Sequence, residues 1–275
     1  MNVRSEPLQR AQAQGEAASR STAFEWSARA GLAARGVVYG LVGLLALELA
    51  LGVGGETTSQ QGALKELVRE PFGEILLIVT AVGLAGYAAW RLVRAAVGHG
   101  REVEDDTVDR VGGLVSGIGY ALLCATAIQI LVGSGSGSGG ASQTTGGVLG
   151  WPGGTWIVGI AGLIVIGEGL HQGYKGIAKK FLEKSKTEQM SPAVERSFAR
   201  IGVFGHLARM VVFVLIGYFL LRAAIDYNPE AAVTVDGALA KLAQASYGPV
   251  LLGVVAGGLL AFGVYSLADA RYRRV

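Results

Sequence analysis

The sequence predicts an all-α polytopic membrane protein in which six transmembrane helices form three parallel two-helix repeats with approximate threefold pseudosymmetry. Three observations carry this. The 275-residue chain is 51% hydrophobic and only 16% charged, with a mean hydropathy of +0.44, whereas a soluble domain commits about a quarter of its residues to charge. Its 43 glycines are spread through apolar runs, as close-packed membrane helices require. The apolar pattern also recurs at fixed spacing.

Taken in chain order, residues 1–25 read as a polar cytoplasmic leader. Arg4, Arg10 and Arg20 alternate there with glutamates, and the apolar core of a cleaved signal is missing. A bilayer core needs roughly 17–25 apolar residues per helix. Six stretches meet that need, some marginally, at about 35–51, 74–89, 112–132, 155–170, 209–224 and 249–268. A soluble helical bundle would show a polar face on most helices, and "LLIVTAVGLAGYAAW" and "VLLGVVAGGLLAFGVY" have none. Lys and Arg divide 20 to 4 between the two sides of this topology, which places both termini in the cytoplasm. The 173–209 segment, with "YKGIAKKFLEKSK", is the most basic. It suits anionic headgroups of the lipid bilayer, and no pattern for nucleic acid accompanies it.

The repeat is visible residue by residue. At a shift of 174, Gly31, Arg35, Tyr39 and Gly43 fall on Gly205, Arg209, Phe213 and Gly217. At 175, Gly62, Leu64, Leu67, Gly73 and Gly83 fall on Gly237, Leu239, Leu242, Gly248 and Gly258. A weaker middle copy aligns Gly31, Gly36 and Tyr39 with Gly112, Gly117 and Tyr120 at a shift of 81. Its second helix aligns Phe72, Gly83 and Leu84 with Trp151, Gly162 and Leu163 at 79. The expected organisation is repeat 1 at 26–98, repeat 2 at 108–180, a basic cytoplasmic loop at 181–197 and repeat 3 at 198–275. A unit of two helices cannot invert between copies, so the relating axis lies along the membrane normal.

The "ARG–VVY–LVG" opening, the "GAL–L–PFG–LL–GL–Y–WR" second helix and the closing "ARYRRV" resemble the bacterial domain of unknown function 1206 over residues 24–275. Such proteins carry two-helix units, often three in a row. The resemblance implies an integral protein of the bacterial cytoplasmic membrane and brings no activity with it. The middle unit departs from the pattern with Ser116 where its neighbours have Arg.

Between the helices of units one and three, "GALKELVREP" and "VDGALAKLAQASYG" read as amphipathic helices on the outer surface. Leu64, Leu67 and Val68 share a face of the first. The middle unit has "GSGSGSGGASQTTGG" instead, a flexible uncharged tract. Tyr87, Trp90, Trp151, Trp156, Tyr174, Tyr265 and Tyr272 near span ends read as an aromatic belt. Cys124, the single cysteine, reads as a small packed residue.

Ionisable residues within spans are the candidate sites. Glu168 and His171 lie three apart, hence on one helix face. At the shift of 79 their counterparts are apolar. With His206, Arg209, Asp269 and Arg35 they form a candidate polar layer at the cytoplasmic boundary. Glu48, Gln129 and Arg222 are equivalent in the repeat and form a candidate outer cluster. An E-x-x-H pair is also a metal half-site in carboxylate bundles, but those need a second motif, so no metal or other cofactor is expected. No nucleotide or catalytic pattern is present. The sequence points to a non-enzymatic component acting by lipid or partner binding. A transporter or channel for a proton or small solute is the alternative, and an intramembrane enzyme comes third.

Overall fold

The computed structural model describes residues 22–53, 57, 60–69, 73–97, 107–133 and 141–274. The expected leader falls almost wholly outside them. Among the described residues the chain is helical, and the only β pairing is an isolated bridge between Ser185 and Arg273. The helices are α1 (Thr22–Leu51), α2 (Gln60–Arg69), α3 (Gly73–Val97), α4 (Thr107–Leu131), α5 (Ala141–Leu149), α6 (Gly154–Ile177), α7 (Lys180–Glu183), α8 (Pro192–Ile225), α9 (Val235–Ala243) and α10 (Gly248–Tyr272). Six of them, α1, α3, α4, α6, α8 and α10, are long and apolar enough to cross a bilayer.

These helices outrun the apolar stretches that announce them. With 34 residues, α8 is about 51 Å long at 1.5 Å per residue, well beyond a hydrocarbon core of about 30 Å. Hydropathy marks only the part that sits in lipid, whereas capping marks where the helix begins. Ser191 accepts a hydrogen bond from the Val194 amide at 3.4 Å, and Pro192 occupies the first turn, where its missing N–H costs nothing.

The six long helices form a ring with one open join. α1 packs on α3, α3 on α4, α6 on α8, α8 on α10, and α10 returns to α1, while α4 and α6 do not pack along each other. Each join between units therefore sets the second helix of one unit against the first helix of the next. The crossings are set by glycines. A Cβ on Gly43 would fall 2.6 Å from Leu260 N and 2.9 Å from Ala256 O; a Cβ on Gly217 would fall 2.9 Å from Ile166 N and 2.6 Å from Gly162 O.

That equivalence corrects the register of the middle unit. Ala256 and Leu260 correspond to Gly162 and Ile166, 94 positions earlier, so α6 lies 81 residues after α3, not 79. The glycine identity of Gly83 with Gly162 misleads, because Gly162 serves the crossing with α8. In the true register Glu168 stands where Tyr87 and Phe262 stand, and His171 where Trp90 and Tyr265 stand.

The middle hairpin is splayed. In unit one a Cβ on Gly31 would meet Gly83 O at 2.7 Å, and in unit three a Cβ on Gly205 would meet Phe262 N at 2.8 Å. In unit two a Cβ on Gly112 would meet only the Glu168 Oε2 atom, at 3.6 Å. The second crossing glycine, Gly83 or Gly258, is replaced there by Ile164, which is 53% exposed. Without a glycine in that place the close backbone crossing of the other two hairpins is not made.

The short helices between spans and the aromatic residues also differ from expectation. The middle unit keeps its short helix, α5, at Ala141–Leu149, with Thr145 and Leu149 buried one turn apart. Its Gly, Ser and Thr content hides it from propensity reasoning. In α2, Ala63, Leu64 and Leu67 are buried but Val68 is exposed. Tyr87, Trp90 and Tyr265 are fully interior, at 0–2% exposure, whereas Trp151, Trp156 and Tyr174 are exposed. The first three are core, not belt. Cys124 is half-buried, its thiol 3.4 Å from the Ala81 carbonyl.

Candidate functional site: two buried arginines at the bundle centre

Arg35 sits on the inner face of α1, 5% exposed. Its Nη1 donates to the Tyr87 hydroxyl at 2.8 Å and its Nε to Ser266 Oγ at 3.1 Å. Its Nη2 lies 3.6 Å from the carboxylate of Asp269, too long for a hydrogen bond but close enough for strong attraction at low dielectric. Asp269 is wholly buried and also holds Arg273 at 3.3 Å. One carboxylate thus serves two guanidinium groups. Arg35 and Asp269 are buried and Arg273 is half-buried; the shared carboxylate offsets their charge, although Asp269 Oδ1 and Arg273 Nε have no hydrogen-bond partner.

Arg209, its repeat equivalent on α8, is 9% exposed. Its guanidinium lies over the rings of Phe262, Phe213 and Tyr39, at 4.5, 5.0 and 5.3 Å. Such contacts contribute about 0.5–2 kcal/mol each. Among the described residues it forms no ion pair, and its Nε has no hydrogen-bond partner. Phe262 also lies 5.0 Å from Arg35, so one ring joins the two arginines.

His206, one turn before Arg209, is buried, with Nδ1 2.9 Å from the Gly202 carbonyl. It stacks on Phe181 with centroids 5.1 Å apart. Glu168 is half-buried and accepts from the Gln172 amide nitrogen at 2.6 Å. His171 is half-buried near Tyr174, with ring centroids 6.5 Å apart. Of the six residues of the candidate layer, then, Arg35 and Asp269 are brought into contact, and Arg209 adjoins them through Phe262. His206 is backed by Phe181, and Glu168 with His171 lies toward the open join.

The candidate outer cluster is not assembled as an ion pair. Arg222 is exposed and gives its guanidinium to Asp226, one turn along its own helix, at 2.8 Å. Gln129 is exposed and Glu48 half-buried. A partner four residues away on the same helix needs no closure of the bundle, so it wins over one on a distant helix. Among the described residues no group of three or more His, Cys, Asp or Glu side chains converges as a metal would require.

Sequence reasoning missed Tyr87, Ser266, Gln172 and Arg273. The available signal was Ser266, a lone hydroxyl in "VYSLADARY" one turn before Asp269.

At the end carrying both termini, the α6–α8 connection folds into a platform. Lys186 N donates to Tyr272 O at 2.7 Å and Arg274 N to Lys184 O at 3.0 Å, beside an Arg274–Glu188 pair at 3.0 Å. Phe181 anchors it, packing on Phe198 and Tyr265. Arg29 ties in α1 by donating to the carbonyls of Ala270 and Arg271 at 2.7 and 2.6 Å.

Comparison with known proteins agrees with this threefold architecture. The chain is 32% identical over 250 residues to "Uncharacterized protein YxxB" of Bacillus subtilis (strain 168), covering 90% of each chain. No solved structure matches. A family model described as Domain of Unknown Function (DUF1206) matches at 30–98, 111–179 and 204–273. The spacing of its first two matches is the shift of 81 seen in the helix crossings. With three matches covering most of its length, the chain belongs to the DUF1206 family.

Proposed function

We propose that this chain is a non-enzymatic component of the bacterial cytoplasmic membrane, with both termini in the cytoplasm, that engages anionic lipid headgroups through its basic platform. The observation that carries this reading is that the platform is folded. The backbones of Lys184 and Lys186 are strapped to the end of α10, and Lys179 and Lys180 precede them in the same connection, Lys179 in a turn closed by Gly176 and Leu182, so these charges are held as a surface. Each basic residue near an anionic membrane contributes about 1 kcal/mol. Beside the platform, an apolar groove of about 320 Å³ is lined by Val194, Phe198, Ile201, Tyr265 and Ala268. It has the chemistry of an acyl-chain slot next to a headgroup surface. The expected test compares thermal unfolding in nanodiscs of phosphatidylglycerol and of phosphatidylcholine. The parent should melt higher in phosphatidylglycerol, and a Lys179→Gln, Lys180→Gln, Lys186→Gln chain should lose most of that difference. Equal melting of the parent in both lipids would sink the reading.

Transport of a proton or small solute is the second reading, favoured by the half-buried Glu168 at the open α4–α6 join. The plug of Arg35, Tyr87, Phe262 and Arg209 weighs against an axial path. A pH-driven solute flux in proteoliposomes that disappears in Glu168→Gln would favour transport, and no flux in the parent would remove it.

A further inference from the structure

The middle unit has Ser116 where its neighbours have Arg35 and Arg209, yet the central layer keeps a third arginine. A Cβ on Gly36 would fall 2.8 Å from Leu267 Cγ, and a Cβ on Gly117 would fall 2.8 Å from Leu92 Cγ. The α1–α10 and α4–α3 joins therefore share one register, in which Leu92 stands for Leu267 and Arg91 for Ser266. Across the α1–α10 join, an arginine on the first helix of a unit meets a serine on the second helix of another. Across the α4–α3 join the serine is on the first helix and the arginine on the second. The two residues have changed sides, and the cation is retained. Direct contacts connect it to the others. The Tyr87 hydroxyl accepts from Arg91 Nε at 3.0 Å and from Arg35 Nη1 at 2.8 Å. Phe262 then joins Arg35 to Arg209, and Asp269 joins Arg35 to Arg273. Arg91 and Arg273 also flank one indole, at 5.6 and 5.7 Å from the Trp90 ring.

Among the described residues, these four guanidinium groups have Asp269 as their one carboxylate partner. Like charges gathered at low dielectric repel one another strongly, so the cluster favours a further anion. Its burial is graded. Arg35 and Arg209 are 5% and 9% exposed and are closed in by rings, whereas Arg91 and Arg273 are half-buried. Arg91 lies at the end of the apolar stretch Gly73–Val93, and Arg273 caps α10. Both therefore stand at the end of the bundle that carries the termini. Beside them the Trp90 indole N–H and Arg273 Nε are buried without a hydrogen-bond partner, so donors accompany the charge. We infer that Arg91 and Arg273 form a binding site for an oxyanion of the phosphate class, which supplies the negative charge that Asp269 alone cannot. Guanidinium groups suit this ligand because their planar forks match two oxygens at once. The depth fits as well, since phosphates are the abundant anions at headgroup level. The inference does not depend on the platform, whose lysines lie outside the site.

The test is calorimetric titration of the purified full chain, in detergent free of anionic lipid. The probes are inorganic phosphate and short-chain phosphatidylglycerol. Binding of phosphate supports the site and identifies a soluble ligand. Binding of phosphatidylglycerol alone supports it and identifies a headgroup. Arg91→Gln should weaken the bound probe about ten- to a hundredfold, the range of a hydrogen bond to a charged group. Ser116→Asp sets a carboxylate across the join from Arg91, so it should weaken binding by a similar factor and melt no lower than the parent, which guards against misfolding of the first variant. The platform triple variant should bind as the parent does, and a loss there as large as in Arg91→Gln overturns the site by moving the anion to the platform. Failure of both probes to bind the parent, or unchanged binding in Arg91→Gln or in Ser116→Asp, overturns the inference and leaves the platform reading intact.

Discussion

The first and third hairpins are closed and the middle one is open, although all three descend from one pattern. Gly31 with Gly83, and Gly205 with Gly258, let backbones meet at closed crossings. The middle unit keeps Gly112 but has Ile164 opposite, and its helices part. The joins between units survive regardless, because Gly117, Gly162 and Gly169 still face the neighbouring unit. The bundle is therefore held by its joins between repeats, and a hairpin can open without dissolving the ring.

The largest effect should come from breaking the ring at its most polar join. Asp269→Asn leaves the buried Arg35 and the half-buried Arg273 without a charge partner and should cost about 3–5 kcal/mol, read as loss of thermal stability in detergent. A change under about 1 kcal/mol would mean that the arginines are held by aromatic faces alone. Next comes conversion of a closed hairpin into an open one. Gly83→Ile drives a branched side chain into the Ala30 carbonyl and Ala34, both 2.9 Å from where its Cβ would stand, and should cost about 1–3 kcal/mol. The reverse change, Ile164→Gly, should be nearly neutral in stability and should shorten a spin-label distance between α4 and α6. Stability losses of equal size in the two variants would break the comparison.

The smallest effect concerns the rim of the closed join. The Arg29 hydrogen bond holds the Glu25 carboxyl below its usual range. At Glu188 its own backbone amide, and then Arg274, do the same. A depressed carboxylate contributes stability above its unfolded value, near pH 4.5, and loses it as pH falls through the lower folded value. Hydrogen-exchange protection of the Lys186 and Arg274 amides, corrected for intrinsic rate, should therefore fall below about pH 4.5, while that of central α1 and α10 stays. Unchanged strap protection down to about pH 3 would assign the strap to its backbone bonds alone.

Much of the fold is legible in the sequence because lipid imposes long apolar helices and duplication leaves matching glycines. The failures have physical causes. A two-residue register error in α6 arises because a glycine identity does not say which neighbour the glycine faces. The α5 helix is invisible because tertiary contacts at Thr145 and Leu149 override its composition. The pairing of Arg35 with Asp269 is only partly legible, since two residues at one depth announce a layer but not a bond. Tyr87 and Trp90 mislead because amphipathic rings suit an interface and an arginine-lined core equally.

The contact between α1 and α10 also dictates an order of events during synthesis. Arg35 and Ser266 are 231 positions apart. At bacterial elongation rates of about 5–20 residues per second, the counter-ion of Arg35 is made on the order of tens of seconds after the arginine itself. Through that interval the first helix carries an unmatched cation into the membrane. Its long stem can reach the headgroup layer while it waits. The last helix is thus the keystone of the assembly, and a chain that stalls before Gly248 should leave Arg35 open to an aqueous arginine-specific reagent that cannot reach it in the finished protein.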